Sequence, residues 1–129
     1  MNKILVEVSI GELLDKISIL EIKKEKIIDA EKLKFINNEY NILKEQLDNN
    51  IKTDEKLNKL FKSLKEINAK LWVIEDDKRM CEKNADFGEK FTKLSRDVHF
   101  FNDDRAKIKL EINNYTGSNI KEIKEYTNY

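Results

Sequence analysis

Between Leu57 and Ile74 the chain places Leu57, Leu60, Leu64, Ile67, Leu71 and Ile74 three or four positions apart. That spacing returns each side chain to the same side of an α-helix, so the segment predicts a long helix buried along one heptad-like stripe. A lone amphipathic helix is marginal in water, and the rest of the chain must supply partners for the stripe. The 129 residues include no proline and only three glycines, with 39% charged and 40% apolar residues, so breakers are few and Lys and Glu suffice to solvate the outer faces. The predicted class is all-α, a single helical domain over residues 1–129.

Ile4 to Val8 form a β-branched apolar run too short for a helix, which predicts a short N-terminal strand. Ser9-Ile10-Gly11-Glu12 has the S-x-x-E form of a capping box and opens a first helix over about Ile10 to Ile28. Asp29, with Glu31 behind it, starts a second helix with the stripe Leu33, Ile36, Tyr40, Leu43 and Leu47, closed by Asn49 and Asn50. Thr53, Asp54 and Glu55 open the third, which continues to about Lys83. Asp86-Phe87-Gly88-Glu89 reads as a second capping box, and a fourth helix runs to about Tyr115 and stops at Gly117. Gly11 and Gly88 share one place in these boxes, where close backbone packing or anion capture both call for glycine; packing is the expectation. In the tail from Ser118 to Tyr129, Ile120, Ile123 and Tyr126 have helical spacing, while the Thr, Tyr and Ile content suits a C-terminal strand. The expected architecture is an antiparallel bundle of four helices, two shorter ones followed by a long helical hairpin.

Two charges fall where this pattern calls for core. Arg105 interrupts Phe91, Leu94, Val98, Phe101, Ile108 and Ile112, and Glu21 lies on Leu14, Ile17, Leu20 and Ile28. A buried charge is costly unless paired. Counting outwards from each turn, with consecutive helices antiparallel, brings Glu21 and Arg105 into one layer, so a buried ion pair between them is expected. The functional alternative is a polar pocket for an anionic ligand, lined by this pair with Asn102 and Lys109.

The same counting makes the third and fourth helices outrun the first two by roughly three turns. The protruding tip is polar on one helix, at Glu75, Arg79 and Glu82, and apolar on the other, at Phe87, Phe91, Leu94 and Val98, with Trp72 at its base. These five apolar residues are the candidate partner surface. Ile19, Ile22, Phe35, Ile42, Val73 and Met80 lie off the main stripes, which implies helices buried on two sides and a homo-oligomer, a dimer in the simplest case.

Lys plus Arg and Asp plus Glu balance at 25 each, so no global field draws in nucleic acid or an anionic membrane. The single cysteine, Cys81, excludes an internal disulfide, and the only histidine, His99, lies off its helix's stripe, which disfavours Cys-His chemistry. Without a signal peptide or long apolar run a cytoplasmic location is expected, and no cofactor is called for. Glu75-Asp76-Asp77 followed by Glu82, with Asp103-Asp104 on the fourth helix, partly matches the paired acidic motifs of helical Mg²⁺-dependent pyrophosphohydrolases, with Glu75, Asp76 and Glu82 as ligands; Arg79 stands where that pattern needs a third acid.

The stretch from Glu7 to Lys23 (EVSIGELLDKISILEIK), Leu71 to Asp76 (LWVIED), Cys81-Glu82 with Asp86 to Gly88, and Asn102-Asp103 with Arg105-Ala106 resemble a family of short bacterial and phage proteins of unknown function. The likeness spans most of the chain and implies no catalytic residues. The expected role is a non-enzymatic helical interaction or oligomerisation protein, such as an accessory subunit of a protein complex. The alternative is a binder of anionic or nucleotide-like small molecules, or a Mg²⁺-dependent phosphohydrolase using carboxylates and Arg.

Overall fold

The computed structural model describes residues 2–129 and is all-helical: α1 (Ile10–Lys26), α2 (Ala30–Asn50), α3 (Glu55–Lys83) and α4 (Glu89–Thr116). Each start has a local cause. Ser9 Oγ accepts from the Glu12 amide at α1, Asp29 from the Glu31 and Lys32 amides at α2, and Asp54 from the Leu57 amide at α3. At α4 the expected capping box is absent: the N-cap is Gly88, without a side-chain cap, and Asp86 instead accepts from the Gly88 amide two residues on. An Asx turn of this kind satisfies the aspartate before the helix begins.

The helix ends are equally local. Ala85 takes a left-handed φ of 52° after α3, and the amides of Asp86 and Ala85 return to the Cys81 and Glu82 carbonyls, the bond pattern of a Schellman turn. Gly117, at φ 68°, ends α4 at no steric cost. Helix α1 stops two residues sooner than expected. Ile27 is already extended and Ile28 is 94% exposed, because the chain must straighten to bring Asp29 to the start of α2.

Neither predicted strand forms among the described residues. Ile4, Leu5 and Val6 are 76–90% exposed, and Ser118 to Tyr129 has no regular structure. A strand needs a neighbour to pair with its amides and carbonyls, and the rest of the chain is helix. The tail instead folds back along α4, with Glu122 on Lys109 and Tyr129 packed against His99 and Phe100 while its hydroxyl meets Asp103.

Helices α3 and α4 form a long antiparallel hairpin. Its register is visible in three lysines lying over aromatic rings, Lys56 on Tyr115, Lys70 on Phe101 and Lys78 on Phe91. Residues 82–90 at its tip are exposed. Helix α1 contacts all three other helices, whereas α2 approaches only α1 closely. Bonds tie α1 to both hairpin arms: Gly11 to Asn113 and Asp15 to Arg105 on α4, and Asp15 and Ser18 to Asn68 and Glu21 and Glu25 to Lys65 on α3. Helix α1 thus packs directly on both arms.

The core forms where α1 meets the hairpin, from Leu14 and Ile17 of α1, Leu47 of α2, Leu57 and Leu64 of α3 and Ile112 of α4. Gly11 makes the close approach to α4: a Cβ there would stand 2.6 Å from the Lys109 carbonyl oxygen and 2.9 Å from Asn113 Oδ1. Close packing, not anion capture, explains this glycine, whose amide donates to Asn113 Oδ1 at 2.7 Å.

Candidate functional site

The charged residues on the stripes do not pair with one another. Arg105 bonds to Asp15, donating from Nε at 2.9 Å to Oδ1 and from Nη2 to Oδ2, while Glu21 accepts from Lys65 at 3.1 Å on the opposite flank of α1. The expected Glu21–Arg105 pair is thus corrected to two separate pairs. Counting levels from helix to helix assumes that α2 packs on α3, whereas α2 approaches only α1 and α1 packs directly on both arms, which brings Asp15, six residues before Glu21, to Arg105.

Asp15 is the centre of the polar layer and is 1% exposed. Asn68 donates one bond to Asp15 Oδ1 and one to Ser18 Oγ, both at 2.8 Å, and Ser18 donates to the Asp15 carbonyl. The bidentate fork fixes the guanidinium, and its bond to Asp15 holds the Arg105 pKa above its ordinary value despite partial burial. Lys109 joins from α4, donating to Glu12 at 2.7 Å and Glu122 at 3.1 Å and standing 3.9 Å from Asp15. Glu12, expected to close the capping box on Ser9, is thereby engaged with Lys109. No buried side-chain polar atom lacks a partner among the described residues.

Burial works against the Lys109 ammonium, but its bonds to Glu12 and Glu122 and the Asp15 charge outweigh burial and raise its pKa above the ordinary 10.5. The folded state thus holds this proton more tightly than the unfolded chain. Its contribution to stability is complete below about pH 10.5 and is lost as pH rises through the folded value. Wild-type melting temperature should accordingly fall more steeply between about pH 10 and 12 than that of Lys109→Met. Parallel pH profiles in differential scanning fluorimetry would refute this linkage.

Beside this layer the hairpin leaves a groove of about 620 Å³, within the range of small-ligand sites. Ile19 and Ile22 of α1, Leu71 and Trp72 of α3, and the polar residues Asn68, Asn102 and Arg105 line its inner part; Glu75, Asp76 and Arg79 line its outer part. Of the candidate pocket residues, Asn102 and Arg105 meet here, whereas Lys109 and Glu21 lie outside. Asp15, Ser18 and Asn68 went unnoticed in the sequence. Their signal was available: Gly11, Asp15, Ser18 and Ile22 recur at helical spacing, and Asn68 sits between Leu64 and Leu71 on the strongest stripe.

The apolar tip candidates do not share one surface. Trp72 faces the groove, Phe87 lies exposed beside Thr92, Arg96 and Phe100, and Phe91, Leu94 and Val98 are half-buried in the hairpin. Phe87 and Phe91 meet edge to face with centroids 5.6 Å apart. The expected metal ligands do not assemble either. Glu75 binds Arg79 at 3.2 Å, Asp76 and Glu82 are exposed, and no group of three or more His, Cys, Asp or Glu side chains among the described residues could hold a metal ion. Arg79, one turn beyond Glu75, takes up the charge that a cation would need.

Fold and site define a small all-helical protein organised around a buried Asp–Arg–Asn layer beside an open groove. The chain belongs to a family of unknown function (DUF6165), whose model matches residues 4–129. No curated protein and no solved structure was found to match it. No helix among the described residues is long and apolar enough to cross a membrane.

Proposed function

We propose that the chain is a non-enzymatic helical interaction protein that self-associates through the outer face of α2. The observation carrying this reading is a row of apolar residues at seven-residue spacing, Ile28, Phe35 and Ile42, of which Phe35 is 69% and Ile42 53% exposed. The inner face of α2 is occupied by α1, with Tyr40, Leu43 and Leu47 in or against the core. The outer row has no such cover, and an exposed heptad position is where a second helix packs.

A second copy of α2 is the occupant that the charges favour. Glu31, Lys32 and Lys34 flank the row towards its N-terminus, and Glu39, Glu45 and the Lys44–Asp48 pair flank it towards its C-terminus. Antiparallel pairing about the midpoint between Asn38 and Glu39 sets Phe35 against Ile42 of the copy and Lys32 against Glu45; parallel pairing sets lysine against lysine. Wild-type protein is expected to elute with twice the chain mass in light scattering at micromolar concentration. Phe35→Glu should give the monomer mass with unchanged helical circular dichroism. A monomeric wild type would refute the reading.

A second reading, small-molecule binding, is supported by the groove, whose polar floor is held rigid by Asp15 and whose wall carries Trp72 and three aliphatic side chains.

A further inference from the structure

We infer that the groove between α1 and the α3–α4 hairpin takes an organic ammonium ion with an apolar body and an oxygen acceptor, the chemistry of an apolar peptide amino terminus. The inference rests on the small-molecule reading of the groove and assigns its ligand class. The lining separates into two ends. At the outer end Asp76 is the charged residue without an ion-pair partner among the described residues, since Glu75 is engaged by Arg79. Trp72 lies one turn before Asp76 on the same face of α3, so an indole and a free carboxylate border the same space. An aromatic face beside a carboxylate selects an organic cation.

At the inner end the donors are of another kind. The Arg105 charge is neutralised by buried Asp15 through two bonds, leaving its remaining N–H groups as directional donors with little net charge behind them. Asn102, half-buried in the same wall, makes no side-chain hydrogen bond among the described residues. Such donors suit a carbonyl oxygen rather than an anion, because the Arg105–Asp15 and Arg79–Glu75 pairs each cancel and the unpaired Asp76 repels added negative charge. Asn68, level with Arg105, and Asp76 are eight residues apart on α3, about 12 Å along its axis. Two extended residues span roughly 7 Å, and the side chains on either wall close the remainder. Ile19, Ile22 and Leu71 line the stretch between the ends and receive the apolar body.

Trp72 is the only tryptophan of the chain, so its emission reports on this groove. The test titrates the full chain with leucyl-leucine amide, its N-acetyl form, 3-methylbutylamine and inorganic pyrophosphate. The free-amine dipeptide should change Trp72 emission saturably, and acetylation, which removes the ammonium, should weaken binding about tenfold or more. The simple amine, which lacks the acceptor, should bind more weakly than the dipeptide, and pyrophosphate should have no effect. Asp76→Asn should weaken the dipeptide about tenfold while leaving the melting temperature in place, with Asp76→Glu restoring much of the affinity. Equal binding of the acetylated form, or no effect of Asp76→Asn, overturns the ligand class. Saturable binding of pyrophosphate alone overturns it while keeping the groove as a small-molecule site, and silence from every probe overturns both.

Discussion

Replacing Asp15 by Ala is expected to lower the unfolding free energy by about 3–5 kcal/mol, the cost of leaving a charge without its partner in a largely buried layer. Asp15 receives Arg105 through two bonds and Asn68 through a third, and it is almost inaccessible to solvent. Its removal strands the guanidinium and one amide hydrogen of Asn68, while Lys109 keeps Glu12 and Glu122. Urea denaturation followed by Trp72 fluorescence measures the loss, and a change below about 1 kcal/mol would mean that water replaces the pair at little cost. Replacing both members, Asp15→Leu with Arg105→Met, should recover most of the stability, because two apolar side chains of similar bulk avoid the desolvation of both charges. If the double variant is as stable as wild type but its mass or helix packing changes, the pair serves to fix how α1 docks on the hairpin.

The second large effect is expected at Leu64, which is wholly buried in the cluster where α1 meets the hairpin. Leu64→Ala should cost about 2–5 kcal/mol, combining the lost transfer free energy with the cavity left among Leu14, Ile17, Leu57 and Ile112. Leu60, one turn earlier on the stripe and only partly buried, should cost measurably less on the same substitution. Equal losses at the two positions in urea melts would show that the core does not concentrate where α1 meets the hairpin.

Much of the fold was legible because its causes are local. The capping residues Ser9, Asp29 and Asp54 and the left-handed stop at Gly117 act within a few residues of themselves, so α2, α3 and α4 begin and end within a residue or two of their expected places. Leu57, Leu64, Leu71 and Ile74 of the strongest stripe are all buried. The strands expected at Ile4–Val8 and in the tail failed for the converse reason: β-propensity is realised only against a neighbouring strand, and no local residue can supply one.

The site was legible only in part. That Arg105 would need a buried acid followed from its place among apolar residues, but the acid proved to be Asp15 rather than Glu21. Asn102 could be placed on the Arg105 side of α4, yet the groove beside them depends on where α1 leaves the hairpin. Asp15 itself looks ordinary in sequence, one carboxylate among many on a helix rich in charge. Only Gly11, Ser18 and Ile22 at matching intervals hint that its side of α1 is buried.

The amino-acid sequence by itself determined the number of helices, their caps and stops, the apolar faces and the need of Arg105 for a buried counter-charge, because each depends on neighbours within a turn or on the cost of burying a charge anywhere. The tertiary structure alone decided that α1, and not α2, packs on both arms of the hairpin. That docking depends on how closely the backbone at Gly11 can approach Lys109 and Asn113 and how side chains distant in sequence interlock. From it follow the pairing of Arg105 with Asp15, that of Glu21 with Lys65, and the groove between them and the tip.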